Sequence, residues 1–331
     1  MTTKIKQMKV REAFAKFAIG KIKEQEARSL GVEFNGGRVL IPTLVANEII
    51  SYVNGENLMR RYGEVVTESN GLRYPVLVNG ITVDGHTSER SNNEMVVNHL
   101  GLKAVLLEPV EFDVLVGIRK KFIATSGAGI VEGVINIIKE TYLQKEIDYM
   151  YNGYQSDSFN TGSLYNMAKR FIPKSNEAAL AVVELKNEPS TKVVNKARWI
   201  VNKKALEVAE GLRYLSGKEM LTTIDNNVSG AQYSFLGFPL DCTDDLKSED
   251  DKALFYFGNF NSFKIQENNI DSLEIELKYE LLAQYNEIGF KLYNLIDGKL
   301  IFSDLEPNCL SLGILILSPP YQNEFYFRLE R

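Results

Sequence analysis

The chain has little cysteine, histidine or tryptophan. Its 331 residues include two cysteines, two histidines and one tryptophan. Cys242 and Cys309 lie far apart and show no metal-ligand spacing. They form either one disulfide or two partly buried thiols in a reducing compartment, and the second reading is preferred. His86 and His99 have no cysteine or paired carboxylates at ligand spacing, so they read as solvated loop residues rather than metal ligands. No run of about 18 apolar residues occurs, so no membrane span is expected. The first nine residues are basic and polar with no apolar run behind them, so no secretory signal is read, and a soluble protein made in the cytoplasm is expected. Gly-x-Ser-x-Gly, Walker and His-Glu-x-x-His patterns are missing. Lysine is absent between Lys23 and Lys103.

What is present is ordinary for a folded protein: 44% hydrophobic and 24% charged residues, in a length that gives one large or two smaller domains. The net charge of -5 and pI near 5.4 argue against a surface that binds nucleic acid by neutralising phosphates, although a local basic patch stays open. The acidic run Asp241, Asp244, Asp245, Glu249, Asp250 and Asp251 lacks the spacing of a calcium loop and reads as a solvated surface loop.

Periodicity divides the chain. Val10, Ala13, Phe14, Phe17, Ala18 and Ile22 recur at helical spacing within 10–30. That helix either packs on its own subunit or lies across a neighbour as an arm. A short helix follows Pro42, from Leu44 to Val53. Leu58 to Leu107 reads as strands with turns at Asn70-Gly71 and Asn79-Gly80, around a polar tip from Asp84 to Asn93. A hairpin of this kind buries little surface within its own subunit and asks for a neighbour. Val110 to Ile118 reads as a strand. Ser126 is placed to cap a helix of about 24 residues, roughly 36 Å long, that ends at Tyr151-Asn152-Gly153.

Further on, 177–185 and 203–213 read as helices, and 197–201, 234–236 and 238–240 as strands. Ser272 to Leu281 alternates with period two. Phe290–Leu295 and Lys299–Phe302 flank a turn at Asp297-Gly298, and Cys309 to Leu317 is either a last sheet strand or an augmentation onto a neighbour. Gly127, Gly129 and Gly133 imitate a dinucleotide turn, which carries the alternative of a nucleotide-dependent oxidoreductase. The acidic residue that motif needs about 20 positions on falls instead inside the expected helix.

Several local patterns resemble the tailed-bacteriophage major capsid proteins of the Hong Kong 97-type fold. They are Val39-Leu40-Ile41-Pro42-Thr43 before Val45–Ile50, the projection after Arg60, and the helix 126–152. Three more follow in the same order: Arg198-Trp199-Ile200-Val201-Asn202, Leu236-Gly237-Phe238-Pro239-Leu240 and Tyr256-Phe257-Gly258-Asn259-Phe260. The resemblance covers about Gly36 to Phe302. It implies an α+β fold with an N-terminal arm (1–35), the start of a peripheral domain (36–57) and an extended loop (58–108). A peripheral domain with a long spine helix (109–160) and an axial domain (161–258) come next, then a return with C-terminal strands (259–331).

The resemblance further implies a structural, non-enzymatic head protein without cofactor or metal. It would assemble with itself as pentamers and hexamers in the host bacterial cytoplasm into an icosahedral virion shell around double-stranded DNA, with no sequence-specific DNA binding and no membrane. A separate scaffolding protein and a portal would be its other partners. Only 35 residues precede Gly36, too few for the cleaved scaffolding segment some members carry. The loop tip residues Asp84, Gly85, His86, Glu89, Arg90 and Asn92 are expected to contact a neighbouring subunit. Some members cross-link their shells through a loop lysine. Here no lysine occurs between Lys23 and Lys103, so the loop up to its returning end offers no amine and cross-linking from it is not expected. An encapsulin-like compartment, which shares the fold, is the nearest alternative.

Overall fold

The structure, a computed structural model, describes residues 2–35, 38–68, 70–77, 102–125, 130–153, 160–175, 177–214, 216–224, 233–248, 252–268, 274–278, 280–301, 308–316 and 327–328. Two compact units result, the first from 1–72, 107–150 and 264–299, the second from 73–106, 151–263 and 300–331.

In the first unit, α1 (Thr2–Ala18) ends where Gly20 takes φ 73° and the Lys21 N–H bonds the Lys16 carbonyl five residues back. That left-handed cap stops the helix, so the expected single helix over 10–30 is two, with α2 at Glu24–Ser29. Ala13, Phe14, Ala15 and Ala18 are buried and Arg11 bonds Glu48, so this segment packs on its own subunit. After β1 (Phe34–Asn35) and β2 (Arg38–Leu40), Pro42 opens α3 (Thr43–Glu56). Helix α3 buries Val45, Ala46, Ile49, Ile50 and Val53, aliphatic burial worth about 1.5–3 kcal/mol per large side chain. Residues 58–62, expected in a strand, form α4 (Leu58–Tyr62), because the Asn57 side chain accepts from the Met59 N–H at 2.9 Å and caps it.

Strands β3 (Glu64–Thr67), β4 (Leu72–Leu77), β5 (Leu102–Leu107) and β6 (Val110–Arg119) follow. Strand β6 alternates, with Phe112, Val114, Val116 and Ile118 inward. Helix α5 (Lys120–Thr125) leads to α6 (Ile130–Ile147), whose last turn widens into a π-helical turn, Asp148–Asn152. The expected cap Ser126 lies outside the described residues, and the α-helical part spans about 27 Å at 1.5 Å per residue.

In the second unit come α7 (Leu164–Met167), β7 (Lys169–Arg170), α8 (Ala178–Asn187), α9 (Thr191–Val194), β8 (Arg198–Val201) and α10 (Lys203–Gly211). They are followed by β9 (Leu221–Thr223), β10 (Tyr233–Phe235), β11 (Phe238–Cys242) and β12 (Ala253–Gly258). The hairpin β10–β11 turns through Leu236 and Gly237, both at positive φ (52° and 86°), as a two-residue primed turn requires. Strands β13 (Phe263–Glu267), β14 (Glu274–Lys278) and β15 (Glu287–Leu300) belong to the first sheet, and β16 (Cys309–Ile316) and β17 (Phe327–Arg328) to the second.

The first sheet orders β1-β2-β14-β15-β13-β3, with β6 antiparallel to β15 over ten residue pairs. Strand β15 runs straight through Asp297-Gly298, where a turn was expected. Buried Asp297 accepts from the Glu108 N–H at 2.9 Å and the Tyr149 hydroxyl at 3.1 Å, and pairs with Lys299 at 2.9 Å. A satisfied buried carboxylate overrides the local turn preference.

The second sheet orders β17-β16-β12-β8-β11-β10-β9, with β7 on β16. Val182, Leu185 and Ala205 of its helices pack on Trp199, Phe255, Phe257, Leu310 and Leu312. The Trp199 indole donates to the Phe235 carbonyl at 3.0 Å. Strand β16 pairs β12 within the chain, which settles residues 309–316 as a strand of their own sheet. Both cysteines are free thiols, and burial pushes each pKa up.

Candidate functional site

The tip residues Asp84, Gly85, His86, Glu89, Arg90 and Asn92, and both histidines, lie outside the described residues. The two sides from which this excursion departs are described, and they are held by buried polar side chains. Arg60 in α4 is wholly buried. Its Nε donates to Glu146 Oε1 at 2.6 Å, one Nη donates to Glu146 Oε2 at 2.9 Å, and the same nitrogen stands 2.7 Å from a Glu267 carboxylate oxygen. Asn57 Nδ2 donates to Glu146 Oε1 at 2.7 Å, and Asn54 Oδ1 accepts from Arg60 at 3.2 Å. Burial by itself would lower the pKa of the guanidinium, but the charge of Glu146, then that of Glu267, outweighs it and raises it. The forked, bidentate geometry suits arginine and not lysine.

Gln266 in β13 acts on the next stretch. Its Nε2 donates to the carbonyls of Glu68 (2.9 Å) and Asn70 (2.5 Å), in the segment joining β3 to β4. Beside these groups, buried Tyr142 accepts from Asn294 Nδ2 at 2.8 Å. Burial first, then the charge of Glu146, raises the Tyr142 pKa, while burial and Asp297 raise that of Tyr149.

Arg60, Glu146, Gln266 and Glu267 were missed as candidates from the sequence. One signal existed: Glu146 interrupts the apolar stripe of α6, four residues after Tyr142 and four before Met150. On the helix layer, Arg11 bridges Glu48 (2.9 Å) and Glu132 (2.8 Å), and Lys139 joins Glu48 at 3.4 Å.

The other sequence candidates resolve as follows. Gly133 sits inside α6, where a Cβ would meet the Phe122 ring at 3.5 Å, and helix α5 stands where a dinucleotide turn needs a strand. Gly127 and Gly129 lie outside the described residues. The oxidoreductase alternative thereby loses its geometry. In the acidic run, Asp241 is buried and pairs with Arg198 at 3.0 Å, so it is not a solvated loop residue. Asp244 pairs with Lys203, and Asp245 accepts from the Thr243 hydroxyl at 2.7 Å. Glu249, Asp250 and Asp251 lie outside the described residues. Among the described residues, no group of three or more His, Cys, Asp or Glu could hold a metal ion, and no helix is long and apolar enough to cross a membrane. The charged pairs described here tie elements to one another.

No curated protein sequence matches the chain. Solved structures do, at low identity. The capsid of a native GTA particle, computed with C5 symmetry, superposes with a TM-score of 0.59 at 12% identity, over 77% of this chain and 89% of that one. A chain from Microbacterium phage Oxtober96 gives 0.52 at 13% identity, over 89% and 96%. A chain of the satellite phage P4 procapsid, solved with its size determination (Sid) protein, gives 0.50 at 10% identity, over 81% and 98%. These likenesses establish the fold. The family model described as "Phage capsid family" matches residues 37–304, and the chain therefore belongs to the phage capsid family as a structural major capsid protein of a tailed phage.

Proposed function

We propose that copies of this chain close, as pentamers and hexamers, into an icosahedral head around double-stranded DNA, without catalysis. The match to the capsid family over 37–304 carries this reading. The first unit, with α6 and the long β6–β15 ladder, serves as the peripheral domain, and the second, with its aromatic-cored sheet, as the axial domain expected over 161–258. Strands β16 and β17, expected with the return to the peripheral domain, lie in the second sheet instead. The excursion between β4 and β5 reaches a neighbour through Asp84, Gly85, His86, Glu89, Arg90 and Asn92. Arg60 and Gln266 fix the direction in which it departs. Each contact is modest, and closure multiplies it. A separate scaffolding protein and a portal complete the head, which assembles in the host bacterial cytoplasm. The Sid protein in the P4 procapsid supports the expectation of an assembly partner.

Negative-stain electron microscopy of the purified, concentrated protein, alongside size-exclusion chromatography, tests the proposal. Closed shells, rings of five or six, or tubes are expected. A monomer that stays monomeric even with the phage's own assembly proteins overturns it. Nuclease-protected DNA in shells from infected cells is expected, and shells filled with an enzyme would mark a cargo compartment instead.

A further inference from the structure

Charge is distributed very unevenly along this acidic subunit. Residues 1–23 carry seven Lys and Arg against one acid, Glu12, a net of +6; with -5 for the whole chain, the remainder carries -11. Two of the seven are engaged within the fold, Arg11 by Glu48 and Glu132, and Lys16 by Glu12 at 2.7 Å. Lys6, Lys9, Lys21 and Lys23 are exposed, and among the described residues none is paired with a carboxylate. Lys6 and Lys9 lie one turn apart on α1, and Lys21 and Lys23 follow its capped end. From Lys6 to the end of α1 at Ala18 the rise is about 18 Å at 1.5 Å per residue, and Lys21 and Lys23 lie just beyond. Arg11 and the buried Ala13, Phe14, Ala15 and Ala18 pin the helix to its unit, so the lysines are held on an ordered scaffold.

We propose that this strip is a binding surface for the phosphate backbone of duplex nucleic acid, one that reads no sequence. Lysine supplies a point charge to each phosphate and releases condensed counterions. Four such contacts give log affinity a slope near -3.6 against log salt, about a 150-fold loss between 50 and 200 mM. The acidic remainder repels the polymer, so contact is confined to the strip and stays weak, as suits a polymer that must also leave. The strip carries no forked side chain to read a base edge. Lys6 also lines a cleft of about 200 Å³ with Gln7, Val10 and Thr43. The inference rests on the proposed head function only in taking packaged DNA as the natural polyanion.

Fluorescence anisotropy of freshly purified, unassembled subunits with a labelled 30-base-pair duplex, at 50, 100 and 200 mM KCl, tests it. The wild type should bind at 50 mM with the slope given. The variant Lys6→Gln/Lys9→Gln/Lys21→Gln/Lys23→Gln should lose about 100-fold or more at 50 mM and show a flat salt response. Its circular dichroism should be unchanged, because all four side chains are exposed. Ile5 and Met8 are also exposed on α1 (55% and 60%), which makes docking onto another subunit the competing use of this helix. A variant that binds DNA like the wild type but no longer assembles would overturn the proposal in favour of that docking. Wild-type subunits that ignore DNA at 50 mM would overturn it too. Failure of the shell reading shows separately, as wild-type protein that forms no assemblies in micrographs.

Discussion

Arg60 Nε stands 2.6 Å from Glu146 Oε1, and both side chains are wholly buried. The pair joins α4, which leads into the loop, to the C-terminal part of α6, and Glu267 brings in β13. Two carboxylates face one guanidinium, and the remaining acceptor capacity is met in part by the Asn57 amide. Such a cluster adds little net stability over a well-packed apolar core, yet removing one partner leaves a buried charge uncompensated.

Arg60→Met should therefore destabilise the first unit by about 3–5 kcal/mol. Adding Glu146→Met and Glu267→Gln should recover much of the loss, because no buried charge then remains. Urea denaturation of the three proteins measures this. A single variant as stable as the wild type would show that the cluster is not closed to water.

Alkaline pH should act through the tyrosines. Tyr142 and Tyr149 have pKa values raised above the ordinary 10.0, chiefly by burial. The folded chain therefore keeps protons that the unfolded chain releases above pH 10, so their contribution is complete below pH 10 and declines as pH rises beyond it. Thermal melts at pH 9 and 11 should show a drop that shrinks in Tyr142→Phe and Tyr149→Phe. Absorbance at 295 nm should show two phenols ionising only on unfolding.

What the sequence disclosed was local. Leu236-Gly237 is a two-residue turn whose chemistry is its own, and the Asn152-Gly153 helix end and the alternation of β6 are equally self-contained. Errors came where a partner far along the chain decides. Asp297-Gly298 reads as a turn until Glu108 and Tyr149 supply donors for the carboxylate. Asp241 reads as solvated until Arg198 covers it. Arg60 finds Glu146 86 positions away. Nothing in a local window separates a charge bound for the interior from one bound for water. The family resemblance drew on the order of many weak local signals, and that order survives when single partners are invisible.

Gly153 is expected to tolerate no side chain. It holds φ 59°, and a Cβ there would meet the Ser163 side chain and the Asn160 carbonyl, the latter at 2.6 Å. Gly153→Ala should cost about 1–3 kcal/mol from backbone strain, more with the collision. Calorimetry on the variant checks this, with Gly55→Ala as the comparison, since nothing lies within 4 Å of a Cβ at that position.

Removing residues 84–93 should separate folding from assembly. The anchors at Arg60 and Gln266 lie outside the deletion, so the melting temperature should stay near that of the wild type. Shells should fail to form. Normal shells from the deletion would show that this segment bridges no subunits.

Covalent joining of subunits through the projecting part of the loop requires an amine there, and the chain has no lysine between Lys23 and Lys103, which stands at the loop's returning end in β5. Shells held by non-covalent contacts come apart when the fold is lost, because each contact depends on surfaces that only the folded subunit presents. Shells boiled in detergent should run as single chains of 37.4 kDa on a denaturing gel. A ladder of multimers would point to Lys103 or to a lysine outside the loop, and peptide mapping of the joined residues would identify it. The exposed lysines of α1 and of the turn after it would then be the first to inspect, and in Lys6→Gln/Lys9→Gln/Lys21→Gln/Lys23→Gln shells the ladder should vanish if they are the source.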